Sequence, residues 1–157
     1  MQDRDRALPL SPIPRKNWEI DAYPVNEIAE YVQDVSQGDI DVLVEEYYNK
    51  YDMILDGRDP EEFKEHVAVQ AGIEIGFERF LEEKKYQAIV THFGDLGSLE
   101  QLPGLAIQRL MEKGYGFGGE GDWKTAAMGI EAVYIDGDTT IRNLQNELRW
   151  NSMYFSK

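Results

Sequence analysis

The 157-residue chain carries a formal net charge of −14 at neutral pH, from 30 acidic and 16 basic residues. A surface this negative repels the phosphates of nucleic acids and of anionic lipids, so we exclude both as partners. Hydrophobic residues make up 42% of the chain, which is enough for one domain with a real core. The chain has no cysteine, which excludes disulfides, thiolate metal sites and cysteine nucleophiles.

No stretch predicts a membrane span or a secretory signal. The apolar runs all fall short of the roughly 18 residues that a membrane-spanning helix needs. The first residues, 1–6, are charged, and no apolar segment of the kind found in signal peptides follows them. Because the lack of cysteine also suits a reducing compartment, we predict a cytoplasmic protein.

The N-terminal segment is predicted to be an extended arm over residues 1–19. Pro9, Pro12 and Pro14 fix the backbone and remove hydrogen-bond donors, so a helix is not expected there. Residues 20–157 are predicted to form a single domain. At its start, the alternating pattern over Trp18–Tyr23 predicts a short edge strand.

Three helices are predicted next. Asn26 is a candidate cap for the first, which would end at Gly38, and Asp39 is a candidate cap for the second. The third has the clearest start, because Asp59 can cap it and Pro60 fits the first helical position. Its apolar periodicity predicts a long helix that ends near residue 84.

The second half alternates strands and helices. The apolar run Tyr86–Thr91 predicts a buried strand, and a helix is expected from Pro103 to the stop at Gly114. A short helix, Trp123–Met128, is predicted after a cap at Asp122. A second strand is predicted at Ile130–Ile135, and a last helix from Asp138 or Thr139 to Trp150. This order predicts the α/β class, with a small parallel sheet flanked by helices.

The glycine-rich segment, residues 114–121, contains five glycines in eight residues and one acid, Glu120. Glycine permits positive φ and close approach of other groups, so a carboxylate here stands in an open place, as a site residue would. A flexible loop with a surface acid explains the pattern as well. The segment is not a phosphate-binding P-loop, because the Gly-Lys-Ser/Thr ending is missing.

One histidine also lies where a site is expected. His92 directly follows the predicted strand Tyr86–Thr91, and residues after such a strand often line a ligand crevice. A loop histidine hydrogen-bonded to the backbone is the favoured interpretation, because no second histidine is near in sequence. His66, among charged residues of the long helix, is predicted to be at the surface.

The glycine-rich segment and its surroundings also carry a resemblance. Residues 101–111 and 114–127 closely resemble the L-arabinose isomerase family, and the similarity extends back through the long helix to Tyr23–Val25. Residues 20–128 therefore resemble that family's central domain, whereas residues 129–157 resemble its extreme C-terminus. Residues 1–19 match poorly.

The resemblance implies an activity and a metal site. The family converts L-arabinose to L-ribulose through an enediol, and it binds Mn²⁺ with two glutamates and two histidines. Glu120 matches the first glutamate, so it is the predicted metal ligand and catalytic residue, with Asp122 and Trp123 supporting its loop. Phe93 matches an aromatic residue that lines the sugar site from a neighbouring subunit, but Gly94 replaces the acid usual beside it.

The same resemblance predicts what this chain lacks. Met128 runs directly into Gly129, as if a large internal segment were missing together with an N-terminal domain. The second glutamate and both histidine ligands fall in that segment. We therefore predict an L-arabinose isomerase-like chain that is inactive alone, and that assembles with itself, for example as a trimer, or with a complementary chain. The alternative is a non-catalytic α/β assembly module that retains only the family's packing and subunit contacts.

Overall fold

The computed structural model describes residues 19–92, 94 and 96–136, and the side chains of that set up to residue 129. Seven elements follow one another along the described chain: α1 (Val25–Gln33), α2 (Gln37–Lys50), α3 (Pro60–Lys84), β1 (Ala88–Thr91), α4 (Gly104–Glu112), β2 (Gly116–Gly119) and α5 (Trp123–Asp136). The predicted α/β class is confirmed. None of the described helices is both long enough and apolar enough to cross a membrane.

The long helix α3 organises the packing, since α1, α2 and α4 all contact it. Its predicted start is confirmed: the Asp59 carboxylate accepts hydrogen bonds from the backbone N–H groups of Glu61 and Glu62, and Pro60 is the first helical residue. The helix ends at Lys84, as predicted, and Lys85 follows in the left-handed region with φ 61°. Local capping signals therefore suffice to define this element.

The sheet consists of β1 and β2, which pair in parallel with Ala88 opposite Gly116 and Thr91 opposite Gly119. The connection between them runs through α4, as parallel pairing requires a crossover. Helix α4 packs against α3 and β2, and α5 then packs against both strands. The carboxyl ends of the two strands thus lie side by side.

Two apolar clusters fill the interior. The larger joins α3, β1 and α4, and it consists of Ile73, Phe77, Phe80, Leu81, Ile89, Ala106, Ile107 and Leu110. The smaller joins α2 to α3 through Val44, Tyr47, Val67 and Ala71. Both draw on the apolar stripes that the helical periodicity predicts.

Three predictions near the N-terminus are wrong. Residues 19–23 form no strand; Tyr23 instead packs its ring edge-on against Phe80, with ring centroids 5.1 Å apart. Helix α1 begins at Val25, before Asn26, and ends at Gln33. Ser36 then caps α2, because its side chain accepts a hydrogen bond from the Asp39 amide. Gly38 and Asp39 consequently lie inside α2.

The predicted second strand is also wrong. Ile130–Ile135 continues α5, which runs without interruption to Asp136. A short apolar run fits a buried strand or a buried helix equally well, and here the helix started at Trp123 simply propagates. The second strand is β2, within the glycine-rich segment that the sequence indicated to be a loop. The predicted helix after Asp138 and most of the predicted N-terminal arm lie outside the described residues.

Candidate functional site

The candidate site is the sheet edge at which β1 and β2 end, which we define as His92 together with residues 120–122. Because Thr91 pairs with Gly119 in a parallel register, the residues that follow them, His92 and Glu120, emerge at the same edge. Ligands of parallel α/β sheets bind at this carboxyl edge. The site therefore arises directly from the strand pairing.

The backbone at Glu120 adopts a conformation that is uncommon for a residue with a side chain. Its φ is 54°, and that of Gly121 is 81°. The turn is closed by hydrogen bonds from the Asp122 amide to the Gly119 carbonyl, 3.0 Å, and from the Gly121 amide to the Thr91 carbonyl, 3.4 Å. A non-glycine residue in this region costs about 1–2 kcal/mol, and such strain is concentrated at functional sites.

Close packing explains one of the glycines. A Cβ atom placed on Gly118 would lie 2.0 Å from the carbonyl oxygen of Asp122. Only glycine thus lets the start of α5 approach β2 this closely. Gly118 therefore permits the close contact between β2 and α5, the helix that follows the Glu120 turn.

Asp122 caps α5, as the sequence predicts. Its carboxylate accepts hydrogen bonds from the Thr125 amide, 3.1 Å, and the Thr125 hydroxyl, 2.6 Å. These bonds, with the Thr125 hydroxyl contributing most, hold the pKa of Asp122 below its usual value. Trp123 is the first residue of the helix, so both residues fix the backbone that follows Glu120.

His92 is the residue whose role the sequence did not reveal. Its Nδ1 accepts a hydrogen bond from the Gly94 amide at 3.0 Å, the backbone bond that was expected. Its Nε2, however, lies 3.6 Å from Oε2 of Glu120. His92 and Glu120 each follow the last residue of a strand, so the pairing of these two strands predicts that the two residues are neighbours. The sequence shows this only if the glycine-rich segment is recognised as a strand.

The other predicted site residues do not join this pair. Phe93 lies outside the described residues. His66 contacts other residues instead, since its Nδ1 is 2.8 Å from the Gln101 amide nitrogen and its Nε2 is 3.9 Å from a Glu62 oxygen.

The metal-binding side chains near Glu120 determine whether the described residues could hold a metal ion. Among the residues that the structure describes, no three histidine, aspartate or glutamate side chains converge in a way that could hold a metal ion. Glu120 supplies one hard oxygen donor of the kind that Mn²⁺ prefers. The described residues therefore fit one ligand position and not a complete site.

Comparison with known proteins gives a consistent result. The family model for the L-arabinose isomerase central domain matches residues 14–136. The L-arabinose isomerase of Geobacillus kaustophilus (strain HTA426) is 44% identical over 124 residues, which cover 78% of this chain and 25% of that protein. That of Serratia proteamaculans (strain 568) is 46% identical over 121 residues, covering 76% and 24%. The chain spans about a quarter of the length of the curated relatives it matches.

Proposed function

This chain belongs to the L-arabinose isomerase family, and on that premise we propose that it carries part of the site for conversion of L-arabinose to L-ribulose, with Glu120 as a ligand of Mn²⁺. The observation that carries the proposal is the placement of Glu120. It stands on left-handed backbone at the carboxyl edge of a parallel sheet, with its side chain open to solvent. The strained backbone at Glu120 destabilises the fold, and its exposed carboxylate adds no stability. A functional role is therefore the better explanation for a glutamate at this position.

The chemistry defines what a single carboxylate contributes. Isomerisation through an enediol needs a base for the proton on C2, an acid for C1, and stabilisation of charge on the two oxygens. A bound divalent cation polarises those oxygens and orients the open-chain sugar. Glu120 can bind the cation, but one carboxylate cannot supply the remaining ligands and also move the proton. Phe93 is proposed to contact the sugar.

We therefore propose that the isolated chain does not turn over L-arabinose, and that further protein completes the site. The partner is either another copy of the chain, in a homo-oligomer such as a trimer, or a complementary chain with the missing glutamate and histidines. A cytoplasmic location is part of the proposal, supported by the absence of cysteine. The alternative is a non-catalytic assembly module that retains only the family's packing and subunit contacts.

The proposal is tested by metal binding and turnover on the same preparation. Free Mn²⁺, measured by its electron paramagnetic resonance signal, should fall on addition of the chain and recover with Glu120→Gln. Glu45→Gln, which removes an exposed carboxylate of α2, is the matched control and should bind as the parent does. L-Ribulose should not form. Turnover that Glu120→Gln abolishes would refute the proposed inactivity, and equal Mn²⁺ binding by all three proteins would refute the role of Glu120.

A complex distinguishes the two functions. If a partner places two histidines and a glutamate about 2.0–2.2 Å from a cation that Glu120 also binds, the chain is part of an enzyme. If Glu120 stays in solvent in every assembly that the chain forms, the module is the correct description.

A further inference from the structure

His92 and Gly94 form a unit that controls which nitrogen of the imidazole faces Glu120. The Gly94 amide donates to Nδ1, so this nitrogen uses its lone pair and carries no proton. In the neutral ring the proton must then be on Nε2, which is the atom that faces the Glu120 carboxylate. The imidazole consequently directs its N–H group at the carboxylate, and the lone pair on Nδ1 already accepts the hydrogen bond from Gly94.

This arrangement is incompatible with His92 acting as a metal ligand through Nε2. A histidine binds metal through an unprotonated nitrogen, and it usually donates a hydrogen bond from the other. Here the other nitrogen already accepts one from the backbone. Ligation by Nε2 would require the Gly94 bond to break and the tautomer to reverse.

Gly94 is a glycine for the same reason. A Cβ atom there would fall 3.1 Å from Nδ1 of His92 and 2.8 Å from its Cε1, and the latter distance is closer than real Cβ contacts allow. The conflict is with the imidazole alone, and the absence of a side chain at position 94 is what lets the ring fold onto the backbone.

We propose that His92 is a positioning residue, held by Gly94 as the Nε2–H tautomer, which orients the Glu120 carboxylate without binding metal. The orientation of Glu120 matters only if Glu120 binds a cation, so this consequence rests on the proposed function, whereas the tautomer does not. At 3.6 Å the two atoms are beyond direct hydrogen-bond contact, and both side chains are largely exposed, so the attraction is modest.

The tautomer is tested by long-range ¹H–¹⁵N correlation spectra of the full chain labelled at histidine. The spectra are recorded at about pH 8.5, well above the ordinary imidazole pKa of about 6.5. The chain has two histidines, so His66→Gln assigns the signals. We expect the protonated nitrogen of His92 to be Nε2. A predominant Nδ1–H form, or the mixture of a free imidazole, would overturn the proposal.

Variants then test the coupling. Gly94→Ala should displace the exposed ring and return His92 to the mixture of a free imidazole, while His66, held by Gln101 instead, should not change. Glu120→Gln should shift the Nε2–H resonance of His92, and Glu45→Gln, which removes an exposed carboxylate of α2, should not. A Gly94→Ala spectrum identical to that of the parent would refute the role of Gly94, and an unmoved resonance in Glu120→Gln would refute the pairing.

Metal binding separates this inference from the proposed function. Adding diamagnetic Mg²⁺ should leave the proton on Nε2, whereas reversal to Nδ1–H would show that His92 is a ligand. Loss of a partner that orients a ligand lowers metal affinity about 10–100-fold in buried sites, and for this exposed pair we expect His92→Ala to weaken Mn²⁺ about three- to tenfold. Gly94→Ala in the His92→Ala background should add nothing. Complete absence of Mn²⁺ binding by the parent chain would refute the proposed function and leave the tautomer result intact.

Discussion

In the helical body formed by α2, α3 and α4, the Glu74 carboxylate is fully buried, whereas at the sheet edge the Glu120 side chain is 58% exposed. Glu74 accepts hydrogen bonds from the Tyr47 hydroxyl, 2.5 Å, and from Nε of Arg109, 2.9 Å. Lys113 lies 2.9 Å from its second oxygen. Glu120 has only His92 near its carboxylate among the described side chains.

The difference shows that a glutamate carboxylate can either stabilise the fold or remain available for binding, depending on its surroundings. Burial, followed by the neighbouring Glu74, raises the pKa of Tyr47, so its hydroxyl remains a neutral donor. The bonds that Arg109 makes to Tyr51, Glu46 and Glu74 outweigh its burial and raise its pKa as well. Both carboxylate oxygens of Glu74 therefore have partners within the protein, which makes the residue structural. The carboxylate of Glu120 is left available, which makes it a candidate for binding.

The largest expected effect on stability comes from removing the buried carboxylate of Glu74. Glu74→Gln keeps the shape of the side chain but removes the buried negative charge that faces Arg109 and Lys113, and among the described residues Arg109 keeps only the exposed Glu46 as a carboxylate partner. It should lower the free energy of unfolding by about 3 kcal/mol. Urea denaturation measures this. Glu112→Gln, which removes the partly exposed partner of Lys50, is the matched control and should cost less than about 1 kcal/mol.

A double replacement sharpens the interpretation. Glu74→Leu with Arg109→Met should be much less destabilising than the sum of the single changes, because both charges leave together. Simple addition of the two costs would contradict a shared ionic interaction.

A smaller effect tests how tightly the helical body is packed against α1. A Cβ atom on Gly76 would lie 2.6 Å from Cα and 2.7 Å from the backbone nitrogen of Val32, and backbone atoms cannot move aside cheaply. Gly76→Ala should therefore cost about 1–3 kcal/mol as α1 and α3 separate, despite the better helix propensity of alanine. Gly72→Ala, whose Cβ would make ordinary 3.5 Å contact with Ile40, is the control and should be neutral or stabilising in thermal unfolding.

The smallest expected effect concerns the sheet edge and has the opposite sign. Glu120→Gly removes the strain of a positive φ, and the gain should exceed the added flexibility of the unfolded chain by about 0.5–1 kcal/mol. Glu120→Gln keeps the strain and should leave the stability unchanged. A stabilising Glu120→Gly that has also lost Mn²⁺ would show that the chain trades stability for this carboxylate. A destabilising one would show that the side chain supports the fold.

Local signals in the sequence determined much of this protein. Asp59 and Pro60 fix the start of α3, the β-branched run before His92 fixes β1, and Asp122 fixes the start of α5. Each depends on neighbours within a few residues, as capping and periodicity do. The residues of the glycine-rich segment likewise identify the L-arabinose isomerase family, which the comparisons confirm.

Only the tertiary structure decided which residues meet. Gly116–Gly119 has no side-chain pattern of a strand, and it becomes one because α4 returns it to the free edge of β1, where its backbone groups find partners. That pairing brings Glu120 to His92, 28 positions earlier in the sequence (120 minus 92), and no local signal encodes it. The continuation of α5 through Ile130–Ile135 has a local cause instead, because propagating an existing helix needs no new partner. Sequence determined the chemistry that Glu120 can offer, and long-range pairing decided what stands beside it.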